Sequence, residues 1–152
     1  MSKLIITVGL PGSGKSTWLA HLGVNAISSD EIRRWIIDDP TNQTIHRAVF
    51  RTMRYLIAQR LKAGRPATYV DATHLTPWER RPYISLGQLY DCEVEAIFFD
   101  TPIEICIARN QARSRIVPNE ALLMMARKLV PPSVAEGFSA VTRIIPDAAR
   151  EN

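Results

Sequence analysis

A parallel sheet covered by helices on both faces, the α/β class, is the fold this sequence predicts, and three observations predict it. Short apolar segments rich in β-branched residues alternate with stretches of helical periodicity, and parallel strands need such crossovers between them. The first apolar segment runs into a glycine-rich turn and then a helix. Finally, 152 residues with 46% hydrophobic and 22% charged side chains suit one globular domain, which at this size buries roughly two thirds of its unfolded surface without staples. No repeat, low-complexity tract or linker breaks the chain, so residues 1–152 are read as a single domain.

The elements follow in order. Lys3 to Val8 is an apolar strand, and after the turn Lys15 to Leu22 forms a helix ended by Gly23. Asn25 to Ser28 is a short second strand, and Asp30 to Ile37 has helical character. A long helix is expected from about Asn42 to Ala63, with Ile45, Val49, Met53, Leu56, Ile57 and Leu61 on one stripe and Gly64 as its stop. Ala67 to Val70 is the third strand. Thr76-Pro77-Trp78-Glu79 then combines an N-cap, a proline at the first helical position and a capping-box glutamate, with Pro82 expected to shorten or kink the helix. Val94 to Phe99 is the fourth strand, and Thr101-Pro102-Ile103-Glu104 repeats the helix-start device ahead of a helix to about Ala112. Gln111 to Pro118 is polar and arginine-rich. Asn119 to Leu129 reads as a further helix stopped by Pro131-Pro132, and Ala140 to Ile145 as the last strand.

Composition excludes several classes. No apolar run reaches bilayer length, and the opening residues lack a signal-peptide pattern, so a cytoplasmic protein without membrane contact is expected. Cys92 and Cys106 have neither C-x-x-C spacing nor histidines beside them, which supports no disulfide scaffold and no zinc site. Of the 19 basic residues 15 are arginine, the side chain suited to bidentate phosphate recognition. The net charge of +4 by itself adds little, since many proteins of that charge never touch nucleic acid.

Gly9 to Thr17 reads GLPGSGKST, a full G-x-x-x-x-G-K-[ST] phosphate loop between a strand and a helix, the context that motif needs. Gly9, Pro11, Gly12, Ser13 and Gly14 build the turn that aims backbone amides and a helix N-terminus at anionic oxygens. Lys15 should reach the β- and γ-phosphates, Ser16 should hold magnesium, and Thr17 should bond an inner phosphate. A merely connecting glycine turn would leave the Lys-Ser-Thr unexplained. ATP and Mg²⁺ are therefore the expected cofactors. No N-K-x-D follows, which argues against a GTPase, and the chain is short for an AAA+ motor with a helical lid domain. Trp35-Ile36-Ile37-Asp38-Asp39 imitates an acidic strand end but sits at helical spacing before Pro40, so it is read as a helix end.

Ligands of open parallel sheets sit at the carboxyl ends of the strands. After the second strand, Asp30 and Arg33 lie three apart on one helix face, fit for a base beside a guanidinium that holds the acceptor's anion. Ser28 and Glu31 also form a capping box there, with Asp30 favouring the helix dipole, and the two readings are compatible. After the third strand, Asp71 is either a magnesium or acceptor ligand or a turn aspartate, and His74 is read as a polar loop residue. Arg109, Arg113 and Arg115 follow the fourth strand; Arg109 and Arg113 share a face and could close over a triphosphate, or form a solvated basic helix end. Arg47, Arg51 and Arg54 form a row that either follows a nucleic-acid backbone or is simply a solvated face.

In GLPGSGKSTW, the acidic helix start Asp30 to Arg33, the segment Asp71 to Pro77, Glu79-Arg80-Arg81, and Arg109-Asn110 through Arg113 to Val117-Pro118, the chain resembles, over nearly its whole length, the P-loop 5′-hydroxyl polynucleotide kinases of phage and bacterial end-healing and RNA repair, among AAA-type ATP-binding kinase-like proteins. That resemblance implies an adenylate-kinase-like parallel sheet with an arginine-bearing lid. It implies Asp30 as general base, Arg33 as the grip on the acceptor's phosphate, Arg113 as lid contact to ATP and Arg109 as its assistant. Ala72 precedes Thr73 and His74 stands where the phage pattern has asparagine, so the resemblance assigns Asp71 no role. Asp100-Thr101-Pro102 lacks the second aspartate of D-x-D-x-T, and no 3′-phosphatase is expected. The expected activity is ATP-dependent phosphorylation of a 5′-hydroxyl end of RNA or DNA, with that end as partner and a homodimer left open. A kinase of a small molecule and a non-catalytic ATP-binding module are the alternatives.

Overall fold

The computed structural model describes residues 2–113 and 116–146. Its strands are β1 (Lys3–Val8), β2 (Ile27–Ser28), β3 (Ala67–Asp71), β4 (Glu93–Phe99) and β5 (Ala140–Ile144). Its helices are α1 (Lys15–Leu22), α2 (Ser29–Ile37), α3 (His46–Lys62), α4 (Pro77–Leu89), α5 (Ile103–Gln111) and α6 (Asn119–Lys128), with one 3₁₀ turn at Val134–Glu136. The five strands form one sheet in the order β2-β3-β1-β4-β5, and every pairing is parallel.

The central position of β1 explains its composition. A strand hydrogen-bonded on both edges and covered on both faces has to be apolar throughout. Leu4, Ile6 and Val8 face the larger core with Val49, Met53 and Ile57 of α3 and Tyr83 of α4, while Ile5 faces the smaller one with Phe99 and Trp18. The chain leaves β1 toward β2 on one side and leaves β3 toward β4 on the other, so the carboxyl ends of β1 and β3 flank the point where the strand order reverses. Ligand crevices in open sheets lie at that point.

Several boundaries depart from the sequence expectation for identifiable reasons. The long helix α3 starts at His46 and not at Asn42, because Asp39 Oδ1 accepts from the Thr41 amide at 2.9 Å and Asn42 Oδ1 from the Thr44 amide at 2.8 Å. Side-chain turns of this kind compete with helical bonding. Strand β2 shrinks to two residues. Helix α4 runs unbroken through Pro82; the carbonyl that Pro82 cannot serve belongs to Trp78, an exposed residue at the first turn. The capping box at Thr76 and Glu79 forms as read. The one expected at Thr101 does not: α5 starts after Pro102 with no side-chain cap, and the Thr101 hydroxyl donates to the Ser13 carbonyl at 2.8 Å.

Arg80 is fully buried in α4. Its Nε and Nη2 donate to the two carboxylate oxygens of Glu136 at 2.8 and 2.9 Å, and Nη1 donates to the His74 carbonyl at 2.8 Å. This fork ties the 3₁₀ turn and the loop after β3 to α4. Arg80→Ala strands a half-buried carboxylate and a buried carbonyl, so it should lower unfolding free energy by about 3 kcal/mol in urea titration; a loss no greater than that of a surface arginine would show the fork to be dispensable.

Candidate active site

The turn after β1 has the backbone that a phosphate loop requires. Gly12 and Gly14 have φ of 81° and 105°, a region in which a side chain is strained. A Cβ on Gly12 would also lie 2.8 Å from the Cys106 carbonyl oxygen on α5. Gly14 is the N-cap of α1, no side chain caps that helix, and its first turn holds no acid. Its leading amides are thus left to an anion from outside.

Lys15 is buried and folds back over its own loop, donating to the carbonyls of Gly9 at 2.9 Å and Leu10 at 2.7 Å. Burial lowers its pKa to about 8, against the upward pull of the Asp71 and Asp30 carboxylates and with the push of Arg113. Ser16 and Thr17 are exposed beside it. The Ser16 hydroxyl donates to Asp71 Oδ2 at 2.7 Å, so Asp71, at the end of β3, is joined to the loop and is more than a turn residue. A hydroxyl and a carboxylate at this spacing are oxygen donors of the kind a hard divalent cation takes. Among the described residues no cluster of three or more His, Cys, Asp or Glu is fit to hold a metal, so phosphate and water oxygens would complete such a shell.

Across the cleft, Ser28 caps α2 by accepting from the Glu31 amide at 3.3 Å. Arg33 is buried, and its Nη1 lies 3.5 Å from Asp30 Oδ1, whose side chain is 43% exposed and so within reach of a substrate. On the other flank Arg109 Nη1 donates to the Gly12 carbonyl at 3.3 Å, and Arg113 stands exposed at the rim. Both oxygen and nitrogen of the fully buried Asn110 amide bond the backbone of Val117, which clamps the ends of the arginine-bearing loop together. Arg115 lies outside the described residues. The row Arg47, Arg51 and Arg54 does not reach the cleft.

Lys15, Ser16, Thr17, Asp30, Arg33, Asp71, Arg109 and Arg113 line one cleft of about 1200 Å³, whose further walls come from α3 and α6, including His46, Phe50, Met124, Arg127 and Lys128. None of those five stood out in the sequence. His46 and Phe50 merge into the amphipathic pattern of α3, and Arg127-Lys128 reads as an ordinary helix C-terminus.

His74 is no loop surface residue. It is buried with φ 47°; its Nδ1–H donates to the Thr7 carbonyl at 2.6 Å and its Nε2 accepts from the Tyr83 hydroxyl at 2.9 Å. Next to it the Gly9 amide donates to the Thr73 carbonyl at 3.0 Å. The imidazole is therefore a strut behind the phosphate loop.

A glycine-rich loop at the switch point of a parallel sheet, with a buried lysine and an arginine from a following helix, defines the P-loop kinase-like fold. Residues 4–132 match the family model described as an AAA domain, and the chain belongs to that family. Solved structures with the same fold include a kinase-like protein of Chloroflexus aurantiacus, 14% identical with a TM-score of 0.75 over 95% of this chain and 88% of that one. Kti12 of Chaetomium thermophilum, solved with ADP-AlF3, is 16% identical with a TM-score of 0.69 over 95% of this chain and 89% of its own. A sugar kinase of Janibacter is 18% identical with a TM-score of 0.65 over 96% and 85%. Among the described residues no helix is long and apolar enough to cross a membrane.

Burial lowers the pKa of His74 to about 4, with Lys15 and Arg80 adding to it and the Thr7 carbonyl opposing. The unfolded chain then takes up a proton near pH 6.5 that the native imidazole refuses until about pH 4. Stability should hold above pH 6.5 and fall by about 3 kcal/mol on acidification through that window. Denaturant titrations at both ends of the window should show the slope, and His74→Asn should be less stable with a clearly shallower slope; an equal slope in the variant would remove His74 as its source.

Proposed function

We propose that this protein is an ATP-dependent phosphotransferase that moves the γ-phosphoryl group of ATP to a 5′-hydroxyl end of RNA or DNA. The observation that carries the reading is the Asp30–Arg33 pair on the wall opposite Lys15 and the Ser16–Asp71 contact. A base and an anion grip there face a phosphate cradle across one cleft. Typical pockets for one ligand measure about 300–1,000 Å³, so a cleft of about 1200 Å³ has room for a nucleotide and an acceptor together.

Each residue then has a task. The loop amides and the α1 N-terminus receive the phosphate chain, and Lys15 turns from the Gly9 and Leu10 carbonyls to the β- and γ-oxygens. Ser16 and Asp71 would hold magnesium, which when bound neutralises charge on those oxygens. Arg33 holds the phosphate next to the acceptor's terminal nucleoside and so aligns its 5′-oxygen. Asp30 takes the hydroxyl proton as that oxygen attacks the γ-phosphorus and the bond to the β-γ bridging oxygen breaks, which leaves ADP. Arg109 and Arg113 receive the charge that develops on the transferring group.

Labelled ATP with magnesium, offered to 5′-hydroxyl oligonucleotides beside nucleosides and sugars, tests the acceptor: transfer to the oligonucleotides is expected. Labelling of the small alcohols alone would replace the acceptor by the class that includes the sugar kinase of the same fold. Asp30→Asn should cost about 10²- to 10⁴-fold in kcat with the KM for ATP nearly unchanged, and undiminished turnover would remove the base assignment. Because the Lys15 ammonium loses its proton near pH 8 in the free protein, ATP affinity should hold below that pH and weaken as pH rises through it. Calorimetric titration between pH 6.5 and 9.5 should show that trend in the native protein and a weak, pH-independent affinity in Lys15→Met.

A further inference from the structure

We propose that the His46–Phe50 ring pair at the start of α3 is a stacking wall for the base of the acceptor's terminal nucleotide. The proposal rests on the polynucleotide reading above and adds where the acceptor's base is held. The rings stand one helical turn apart with centroids 4.6 Å from each other and planes inclined by 40°. Both line the same cleft as Asp30 and Arg33. Phe50 packs its inner edge against the core formed with Val49 and Met53, which fixes the platform, whereas His46 is exposed and presents its ring to the cleft.

The surroundings select for a flat unsaturated ring over a polyol. Thr41 and Gln43, the polar side chains next to the rings, bond within their own turn: the Thr41 hydroxyl donates to Asp39 Oδ1 at 2.6 Å and Gln43 Nε2 donates to the Thr41 carbonyl at 3.4 Å. One donor of each is thereby engaged away from the rings. The facing wall on α6 adds the exposed thioether side chain of Met124, and sulfur packs well against aromatic rings. Partial burial and the positive charges of Arg33 and Lys128 lower the His46 pKa, with Glu79 opposing. That shift favours the neutral ring, whose face can stack on any base. Arg33, on the adjoining wall, is then placed for the phosphate that follows that base.

The experiment compares two 5′-hydroxyl oligonucleotides that differ only at the first residue, one with a base and one abasic, in the native protein, His46→Ala and Phe50→Leu. Leucine keeps the apolar contact of residue 50 with the core, and thermal melts confirm folding. The native protein should prefer the base-bearing end by about tenfold to a hundredfold in kcat/KM, the range that base–aromatic stacking supplies. The variants should lower that ratio to within about threefold of unity while the KM for ATP stays within twofold. Equal use of both ends by the native protein, or a ratio that survives in both variants, overturns the stacking wall and leaves the polynucleotide reading standing. Failure to phosphorylate either oligonucleotide overturns that reading and the wall with it.

Discussion

The structure depends on the attachment of the phosphate loop to its neighbours. A loop that must present bare amides to an anion cannot satisfy those amides itself, so its shape has to be imposed from outside. Three contacts impose it here: the Gly9 amide on the Thr73 carbonyl at 3.0 Å, the Thr101 hydroxyl on the Ser13 carbonyl at 2.8 Å, and the Cys106 carbonyl where a Cβ on Gly12 would collide. One comes from beyond β3 and two from beyond β4, so both strands beside β1 grip its turn.

The polar strut behind the loop extends this support. His74 joins the Thr7 carbonyl to the Tyr83 hydroxyl, and Arg80 holds the His74 carbonyl while forking onto Glu136. A buried network of this kind specifies one arrangement because every alternative leaves a donor or acceptor unsatisfied. Lys15 then has one place to rest without a ligand, on the carbonyls of its own loop. From there the ammonium can reach incoming phosphate oxygens with little backbone movement.

Legibility in the sequence followed the range of the interaction. Strand β1, helices α1 and α6, the capping box at Thr76 and the phosphate loop depend on residues a few positions apart, and each appears at or within a residue or two of where its pattern lies. The start of α3 and the cap of α5 misread because a side chain had a second use. Asp39 and Asn42 spend their carboxylate and amide on turns before α3, and Thr101 gives up its cap for a contact 88 residues away. Asp71 read as either ligand or turn residue until its carboxylate met Ser16, 55 residues distant. His74 looked like loop because no local pattern distinguishes an exposed imidazole from a buried one.

By itself the sequence determined the class of fold, the anion-binding turn and the pairing of Asp30 with Arg33 on one helical face, because strand alternation, glycine conformation and helical spacing are properties of a few adjacent residues. Only the tertiary structure decided which cations face the cleft, that the arginine row of α3 stays away from it, and that two rings of α3 stand beside the acid and the guanidinium. Those outcomes depend on how helices far apart in the chain roll against one sheet, and local patterning carries no record of that rotation.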